Sequence, residues 1–394
     1  MRLLEYQAKQ RFAAAGIAVP QGRLARTPAE AGAAARELGT VAIKAQVPIG
    51  GRGKAGGIAV AHTPEEAERE AARILAMDIR GYPVRSVWCE TGLDIAAELY
   101  LGIALDRDRR RLVVIFSAAG GMEIEQVAAE APERIAKLWP DPFAGPLPFE
   151  LRALAFAGLG GAPDLRPRAG ALAAQLATLG DRLYRLAVSL DAVTCEINPL
   201  ALTGEGALVA ADGKLEIDEN AEFRQQDLIA ELRGEEEPDD ATLSGADPLE
   251  VEARRRGLTY VHLGGSVGVI GNGAGLTMNT VDLVKQQGGD PANFLDIGGG
   301  AGADKVRNAL EMVLLDPQVR GVFINVFGGI TRGDEVARGV IAARDELHLT
   351  TPLVVRMTGT MEEEGRRLLE AAGIVPATSP TEAARKIVEL TRAT

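Results

Sequence analysis

The sequence predicts two domains of different class, an α+β domain followed by a doubly wound α/β domain, and three observations carry that reading. From about Thr259 short apolar runs alternate regularly with amphipathic helical stretches. Glycines cluster just after those apolar runs. The first half shows no such alternation and mixes helices with strands, a pattern that suits a fold containing antiparallel strands.

Five strand–helix units are counted in the second half. Tyr260 to Ile270 precedes a helix over Ala274 to Gln287, and Ala292 to Ile297 precedes one over Ala303 to Leu315. Gly321 to Phe327 leads into Asp334 to Leu347, Pro352 to Met357 into Met361 to Ala372, and Ile374 to Ala377 into Thr381 to Arg392. Strands interleaved with helices in this way predict an open, flavodoxin-like parallel sheet. Gly271, Gly273 and Gly275, Gly298 to Gly300, Gly328 with Gly329, and Gly359 all follow predicted strands. Open α/β sheets bind ligands beyond the carboxyl ends of their strands, where helix N-termini offer free N–H groups to anions, so this edge is a candidate binding surface.

Between the halves, GEEEPDDATLSGAD from Gly234 to Asp247 is acidic and aperiodic and reads as a linker. In the first half, Pro28 to Leu38 and Pro64 to Ala76 read as helices and Val41 to Val47 as a strand. The Ala- and Leu-rich stretch from Leu165 to Leu190 reads as a core helix.

The 394 residues, 46% hydrophobic, suffice for two or three domains. A formal net charge of −12 argues against a nucleic acid or an anionic membrane as main partner, so an anionic ligand needs a local basic site. Cys89 and Cys195 have neither a Cys nor a His at ligand spacing, which fits a reducing compartment. No apolar run approaches membrane-spanning length, and structure begins at Leu3 to Lys9, too near Met1 for a targeting peptide. A cytoplasmic protein is expected.

Lys44 lies inside the apolar strand VAIKAQV, and the basic loop GGRGKAGG follows from Gly50 to Gly57. Glycines let backbone N–H groups approach phosphates, while Lys44, Arg52 and Lys54 supply local positive charge. The loop is no Walker A motif, because Pro48 stands where its first Gly belongs and Ala55 follows Lys54.

From Ala192 to Ile217 two alternating strands flank the turn TGEG. A hairpin centred on Glu205 pairs Asn198 with Asp212 and Glu196 with Lys214. Directly opposed residues have Cβ atoms roughly 5 Å apart. An Asn carbonyl and an Asp carboxylate that close form a candidate Mg²⁺ site, although polar residues on a solvated hairpin face would read alike. Glu90 follows the strand Val84 to Cys89 and Glu98 lies in or beside Ala97 to Leu105, where pattern alone favours ordinary surface residues. His62, His262 and His348 lack an acidic partner close in sequence, so each reads as structural.

The segments LLEYQAKQ, KAQVPIGGRGKAGG, DIAAELYLG, CEINPLALT, AADGKLEID, GNGAGLTMNTVDLV, GGDPANFLDIGGGA and VFINVFGGITRGDE resemble the β subunit of succinyl-CoA ligases from the first residues to the last helix. The resemblance implies an ATP-grasp domain over 1–236, a linker over 237–247 and a flavodoxin-like domain over 248–394. It implies that Lys44, Gly51, Arg52, Gly53, Glu90, Leu93 and Glu98 bind nucleotide, and that Asn198 and Asp212 bind Mg²⁺. Asn272, Gly329, Ile330 and Thr331 would meet the acyl substrate, and Glu196 would face a phosphohistidine on a partner α subunit, which also binds most of the CoA. The implied reaction is the tricarboxylic acid cycle step that converts succinyl-CoA, NDP and phosphate to succinate, CoA and NTP, with ATP favoured over GTP, in an αβ or α₂β₂ assembly. Pro48, Leu93, Gly264, Ser266 and Thr331 depart from the family's usual residues. A malate-CoA ligase β subunit, a single-chain ATP-grasp ligase and a non-catalytic nucleotide-binding subunit are the alternatives.

Overall fold

Threonines set the starts of the first long helices in the computed structural model, which describes residues 1–235, 247–374 and 376–393. The Thr27 hydroxyl accepts the Glu30 N–H at 3.3 Å, and the Glu30 carboxylate accepts the Thr27 N–H at 3.3 Å. This reciprocal cap opens α2 (Pro28–Leu38), which has Pro at its first position, where no N–H is required. Thr63 caps α3 (Pro64–Leu75), accepting the Glu66 N–H at 3.2 Å, and the Glu66 carboxylate accepts the His62 N–H at 2.8 Å.

These helices belong to the first of two units, Met1–Gly245. The unit opens with α1 (Glu5–Ala14). One antiparallel sheet has the order β1 (Gly22–Ala25), β6 (Val87–Thr91), β2 (Val41–Ala45), β3 (Ile58–Ala61). A small hairpin, β4 (Asp78–Ile79) with β5 (Tyr82–Pro83), turns at Arg80 and Gly81, both at positive φ. The hairpin occupies the chain just before β6. The strand expected from Val84 therefore begins at Val87 and takes in Glu90, which was expected to follow it.

The second antiparallel sheet orders β11 (Leu208–Ala210), β10 (Ala192–Thr203), β7 (Ile95–Asp106), β8 (Arg111–Ser117) and β9 (Ile135–Leu138), with β12 (Lys214–Ile217) also paired to β10. After α4 (Ile124–Glu130), the helices α5 (Pro148–Leu159) and α6 (Ala169–Ser189) join its core, where Phe12, Leu99, Phe116, Leu151 and Leu183 are buried. Truncation of such a buried Phe costs about 3–5 kcal/mol. The core helix expected from Leu165 begins at Ala169, because Pro163–Arg168 forms a tight 3₁₀ turn in which Pro167 lacks an N–H. The last described helix here is α7 (Gln226–Glu235), so Gly234 and Glu235 are helical and residues 236–246 of the expected linker lie outside the described residues.

The second unit, Ala246–Thr394, alternates strand and helix. Asp247 caps α8 (Pro248–Arg255), accepting the Leu249 N–H at 2.8 Å. The sheet order is β13 (Thr259–His262), β15 (Asn293–Asp296), β14 (Val267–Gly271), β16 (Gly321–Gly328), β17 (Leu353–Gly359), β18 (Pro376–Ala377), parallel except for β13 against β15. One face is covered by α10 (Ala303–Leu314), α11 (Gly333–Glu346) and α12 (Glu362–Ala371), the other by α9 (Ala274–Gln286) and α13 (Pro380–Ala393). The single strand expected from Tyr260 to Ile270 is thus two strands. Gly264, at φ +73°, turns the chain, and the Leu263 and Gly264 N–H groups both donate to the Ala292 carbonyl, so β13 peels off to become the antiparallel edge. No helix among the described residues is long and apolar enough to cross a membrane.

Candidate active site

A buried ion-pair network occupies the first unit. Glu5 and Lys9 are four residues apart on α1 and so share one helix face. Ladder register pairs Ala42 with Glu90 and Lys44 with Trp88, which makes Lys44 and Glu90 diagonal neighbours on one face of the β2–β6 pair. Arg52 comes from the glycine-rich loop, and Asp212 lies between β11 and β12.

The Lys44 ammonium lies 3.0 Å from Glu5 and 2.7 Å from Glu90, and donates to the Ala211 carbonyl at 2.6 Å. Lys9 takes the same three partners, Glu5 at 2.8 Å, Glu90 at 2.5 Å and the Ala211 carbonyl at 2.7 Å. Arg52 donates to Glu5 at 2.6 Å and to both oxygens of Asp212 at 2.8 Å. The Trp88 indole N–H donates to Glu90 at 2.8 Å. Burial alone would raise the Glu5 carboxyl, but Arg52, Lys44 and Lys9 together hold it well below the usual carboxylate range. Burial likewise opposes the charge on Lys44, yet Glu5 and Glu90 win and keep it protonated.

Glu90, which its pattern assigned to the surface, is 3% exposed inside this network. Sequence reasoning also missed Glu5 and Lys9. Their i,i+4 spacing was visible, but not the strands they pack on. Lys54 points outward to Glu123 at 3.0 Å, so only Lys44 and Arg52 of the expected basic set converge. Gly51 (φ +80°) and Gly53 are exposed on the loop, Leu93 is half-buried, and Glu98 is exposed at the start of β7.

The hairpin register agrees with the sequence arithmetic. Leu200 pairs with Ala210 and Glu196 with Lys214, on either side of the gap that holds Asn198 and Asp212. The Asn198 carbonyl accepts the Gly121 N–H at 2.9 Å, and its amide donates to the Met122 carbonyl at 2.9 Å and to Glu196 at 3.3 Å. Burial holds Glu196 above the usual carboxylate range, against the pull of Lys214 and the Asn198 hydrogen bond. Among the described residues no group of three or more His, Cys, Asp or Glu could cage a metal. Asn198 and Asp212 offer one carbonyl and one carboxylate, a pair of hard oxygen donors that fits a Mg²⁺ ion completed by phosphate and water. The Asp212 carboxylate already holds a cation, the Arg52 guanidinium, so its charge fits that ion.

In the second unit the glycine-bearing turns meet at one edge. The Asn272 amide donates to the Phe327 carbonyl at 2.9 Å and to the Thr331 hydroxyl at 3.2 Å, and its carbonyl accepts the Phe327 N–H at 2.8 Å. The buried Thr331 hydroxyl also accepts the Gly300 N–H at 3.0 Å. Asp296 accepts the N–H groups of Gly273 and Gly298 at 2.6 and 2.7 Å. Asn272 and Thr331 are thus brought together, while Gly329 and Ile330 project outward, Ile330 being 85% exposed.

His62 and His348 are exposed. His262 has acidic partners that are distant in sequence. Its Nδ1 lies 2.6 Å from Asp247 and its Nε2 3.2 Å from Asp316.

Residues 2–202 match the ATP-grasp domain family and residues 270–388 the CoA-ligase family, so fold and site define an ATP-grasp protein with a CoA-ligase domain. The chain is 52% identical, over 99% of both sequences, to the GDP-forming succinate–CoA ligase β subunit of Thermus thermophilus. It is 49% identical to the ADP-forming β subunit of Rubrobacter xylanophilus, over 100% of this chain and 99% of the relative. It is 46% identical to that of Roseiflexus sp., over 99% of both. The chain belongs to the succinate–CoA ligase β-subunit family. Its fold is also that of ATP citrate lyase from Methanothrix soehngenii, with a TM-score of 0.69 at 18% identity over 100% of this chain and 99% of that one.

Proposed function

We propose that the chain is the nucleotide-binding β subunit of a succinate–CoA ligase, interconverting succinyl-CoA, NDP and phosphate with succinate, CoA and NTP through a phosphohistidine on an α subunit. The observation that carries the proposal is the convergence of Lys44 and Arg52 on Glu5, with Arg52 also held by Asp212 from the hairpin gap that contains Asn198, in a chain of this family. Residues 1–236 would form the nucleotide domain, 237–247 the linker and 248–394 the ligase domain of a cytoplasmic enzyme.

In this reading Lys44 and Arg52 exchange part of their carboxylate contacts for phosphate oxygens, with Gly51 and Gly53 giving those oxygens close access to the backbone. Glu90, Leu93 and Glu98 border the nucleotide. Asn198 and Asp212 would hold Mg²⁺, which when bound supplies charge neutralisation on the phosphates. Glu196, with its raised pKa, would hydrogen-bond and orient the imidazole of the α subunit. Thr331 and Asn272, with Gly329 and Ile330, would line the acyl site, and the partner would bind most of the CoA.

Adenine nucleotide is the proposed preference, as the names of the Rubrobacter and Roseiflexus relatives read; the Thermus relative is named GDP-forming, so both bases belong in the assay. The test is CoA-thioester formation by the chain co-purified with its α subunit, with succinate and malate compared and ATP and GTP in parallel. A higher kcat/KM for succinate is expected, and a higher value for malate would overturn the substrate assignment.

A further inference from the structure

The six charged groups of the network divide by depth. The side chains of Glu5 and Lys9 are each 1% exposed, those of Arg52 and Lys44 8% and 10%, and that of Asp212 27%. A ligand arriving from the Asp212 side meets Lys44 and Arg52 before Glu5 and Lys9. Lys9 and Lys44 share the same three partners, so what separates them is access. Lys44 and Arg52 can turn donors outward to a phosphate, whereas Lys9 cannot.

We infer that Glu5 is a positioning residue for phosphoryl transfer, holding the Lys44 ammonium and the Arg52 guanidinium where they meet the nucleotide phosphates, with Lys9 as its permanent counter-charge. The inference rests on the nucleotide-site reading above. One carboxylate touches all three cations, the Lys9 and Lys44 ammonium groups through one oxygen and Arg52 through the other. Its two oxygens therefore fix the spacing between Lys44 and Arg52. A buried carboxylate that lost every cation to a ligand would be left uncompensated, which is strongly unfavourable. Lys9 prevents this, because its contacts to Glu5 and Glu90 persist when Lys44 and Arg52 turn to phosphate.

Charge balance makes the role measurable. Three cations, Lys9, Lys44 and Arg52, face three carboxylates, Glu5, Glu90 and Asp212. Glu5→Gln keeps the shape but leaves one uncompensated positive charge, so an anionic nucleotide binds more tightly while Lys44 and Arg52 lose their register for transfer. Tighter ground-state binding with slower chemistry is the signature of misplaced transition-state contacts.

The experiment uses the full chain co-purified with its α subunit, calorimetric titration with Mg·ADP, and steady-state kinetics. E5Q should bind Mg·ADP about 3- to 10-fold more tightly and turn over about tenfold more slowly. The double variant E5Q/K9M restores charge balance, so its affinity should return to within about twofold of the parent while kcat stays low. Any other pairing of Kd and kcat for E5Q overturns the inference, including the parent values expected of a carboxylate that only stabilises the fold. If E5Q alone does not fold, the double variant decides: low kcat at parent-like Kd supports the role, and any other result overturns it. Lys44→Met and Asp212→Asn separate the two readings. Parent-like Mg·ADP binding by both would sink the nucleotide-site reading itself, whereas their loss of binding beside a parent-like E5Q overturns the role of Glu5 alone.

Discussion

Arg52 grips Asp212 through both carboxylate oxygens at 2.8 Å, joining the glycine-rich loop to the hairpin across 160 residues of chain. Both bonds come from Nη2, while Nη1 donates to Glu5, so one guanidinium ties the two carboxylates together. The Asp212 contact also sets Arg52 in competition with any cation that Asp212 binds, so nucleotide and metal should load together: phosphate draws Arg52 away, and Asp212 is freed.

The competition is measurable without nucleotide. In Arg52→Met the Asp212 carboxylate is released, and Mn²⁺ affinity of the nucleotide-free protein should rise about tenfold by electron paramagnetic resonance titration, while nucleotide affinity falls at least as much. Unaltered Mn²⁺ affinity would show that Asp212 does not hold the metal.

Packing beneath the site is equally exacting. A methyl group added at Gly213 would stand 2.4 Å from the ring of Phe12, which is fully buried and anchors α1. Gly213→Ala should therefore destabilise the first unit by about 1–3 kcal/mol in urea unfolding. It should also weaken nucleotide binding, because displacing α1 moves Glu5 and Lys9. A stability change without a binding change would uncouple α1 from the site.

At the second unit's edge, Thr331→Val keeps the volume but removes the hydroxyl that accepts from Gly300 and Asn272. Gly300 is exposed and Asn272 half-buried, so water can take the place of the hydroxyl and stability should fall by less than about 1 kcal/mol. With Gly300 and Asn272 no longer tied to one hydroxyl, KM for the dicarboxylate should rise more than KM for nucleotide. Equal shifts in both constants would argue against an acyl site there.

His262 couples the second unit to pH. Burial opposes its charge, but the Asp247 hydrogen bond and the Asp247 and Asp316 carboxylates prevail and raise its pKa. Glu250, whose carboxylate accepts the backbone N–H of His262, and the Tyr260 hydroxyl also face this cluster. Because the folded value lies above that of the unfolded chain, about 6.5, the stabilisation is complete below about pH 6.5 and is lost as pH rises through the folded value. Hydrogen exchange in α8 and β13 should accelerate over that window, beyond the intrinsic rise with pH, and His262→Gln should abolish the extra slope. A slope that survives the substitution would assign it to another group.

The hairpin register was legible because alternation and a glycine-bearing turn are local signals; one centre at Glu205 fixed both Glu196–Lys214 and the gap at Asn198 and Asp212. The strand–helix alternation of the second unit was legible for the same reason. The apolar run from Tyr260 to Ile270 misled, because nothing in its hydropathy shows that Gly264 takes a positive φ and redirects the chain. Glu90 looked like a surface residue because its partners Lys9 and Lys44 lie 81 and 46 positions away, and its burial depends on α1 packing beside β6. His262 likewise gained Asp247 and Asp316 only through the fold. Ion pairs between distant elements leave no local spacing to read.

In the proposed function this chain forms one half of an active site whose phosphorylated histidine belongs to another chain. This is tested most directly by incubating the chain, alone and with its α subunit, with Mg²⁺ and γ-labelled NTP, then separating the chains and counting acid-labile, base-stable phosphate on each. Label is expected on the α subunit only, with no succinyl-CoA formed by this chain alone. Label on this chain, or turnover without the partner, would contradict it.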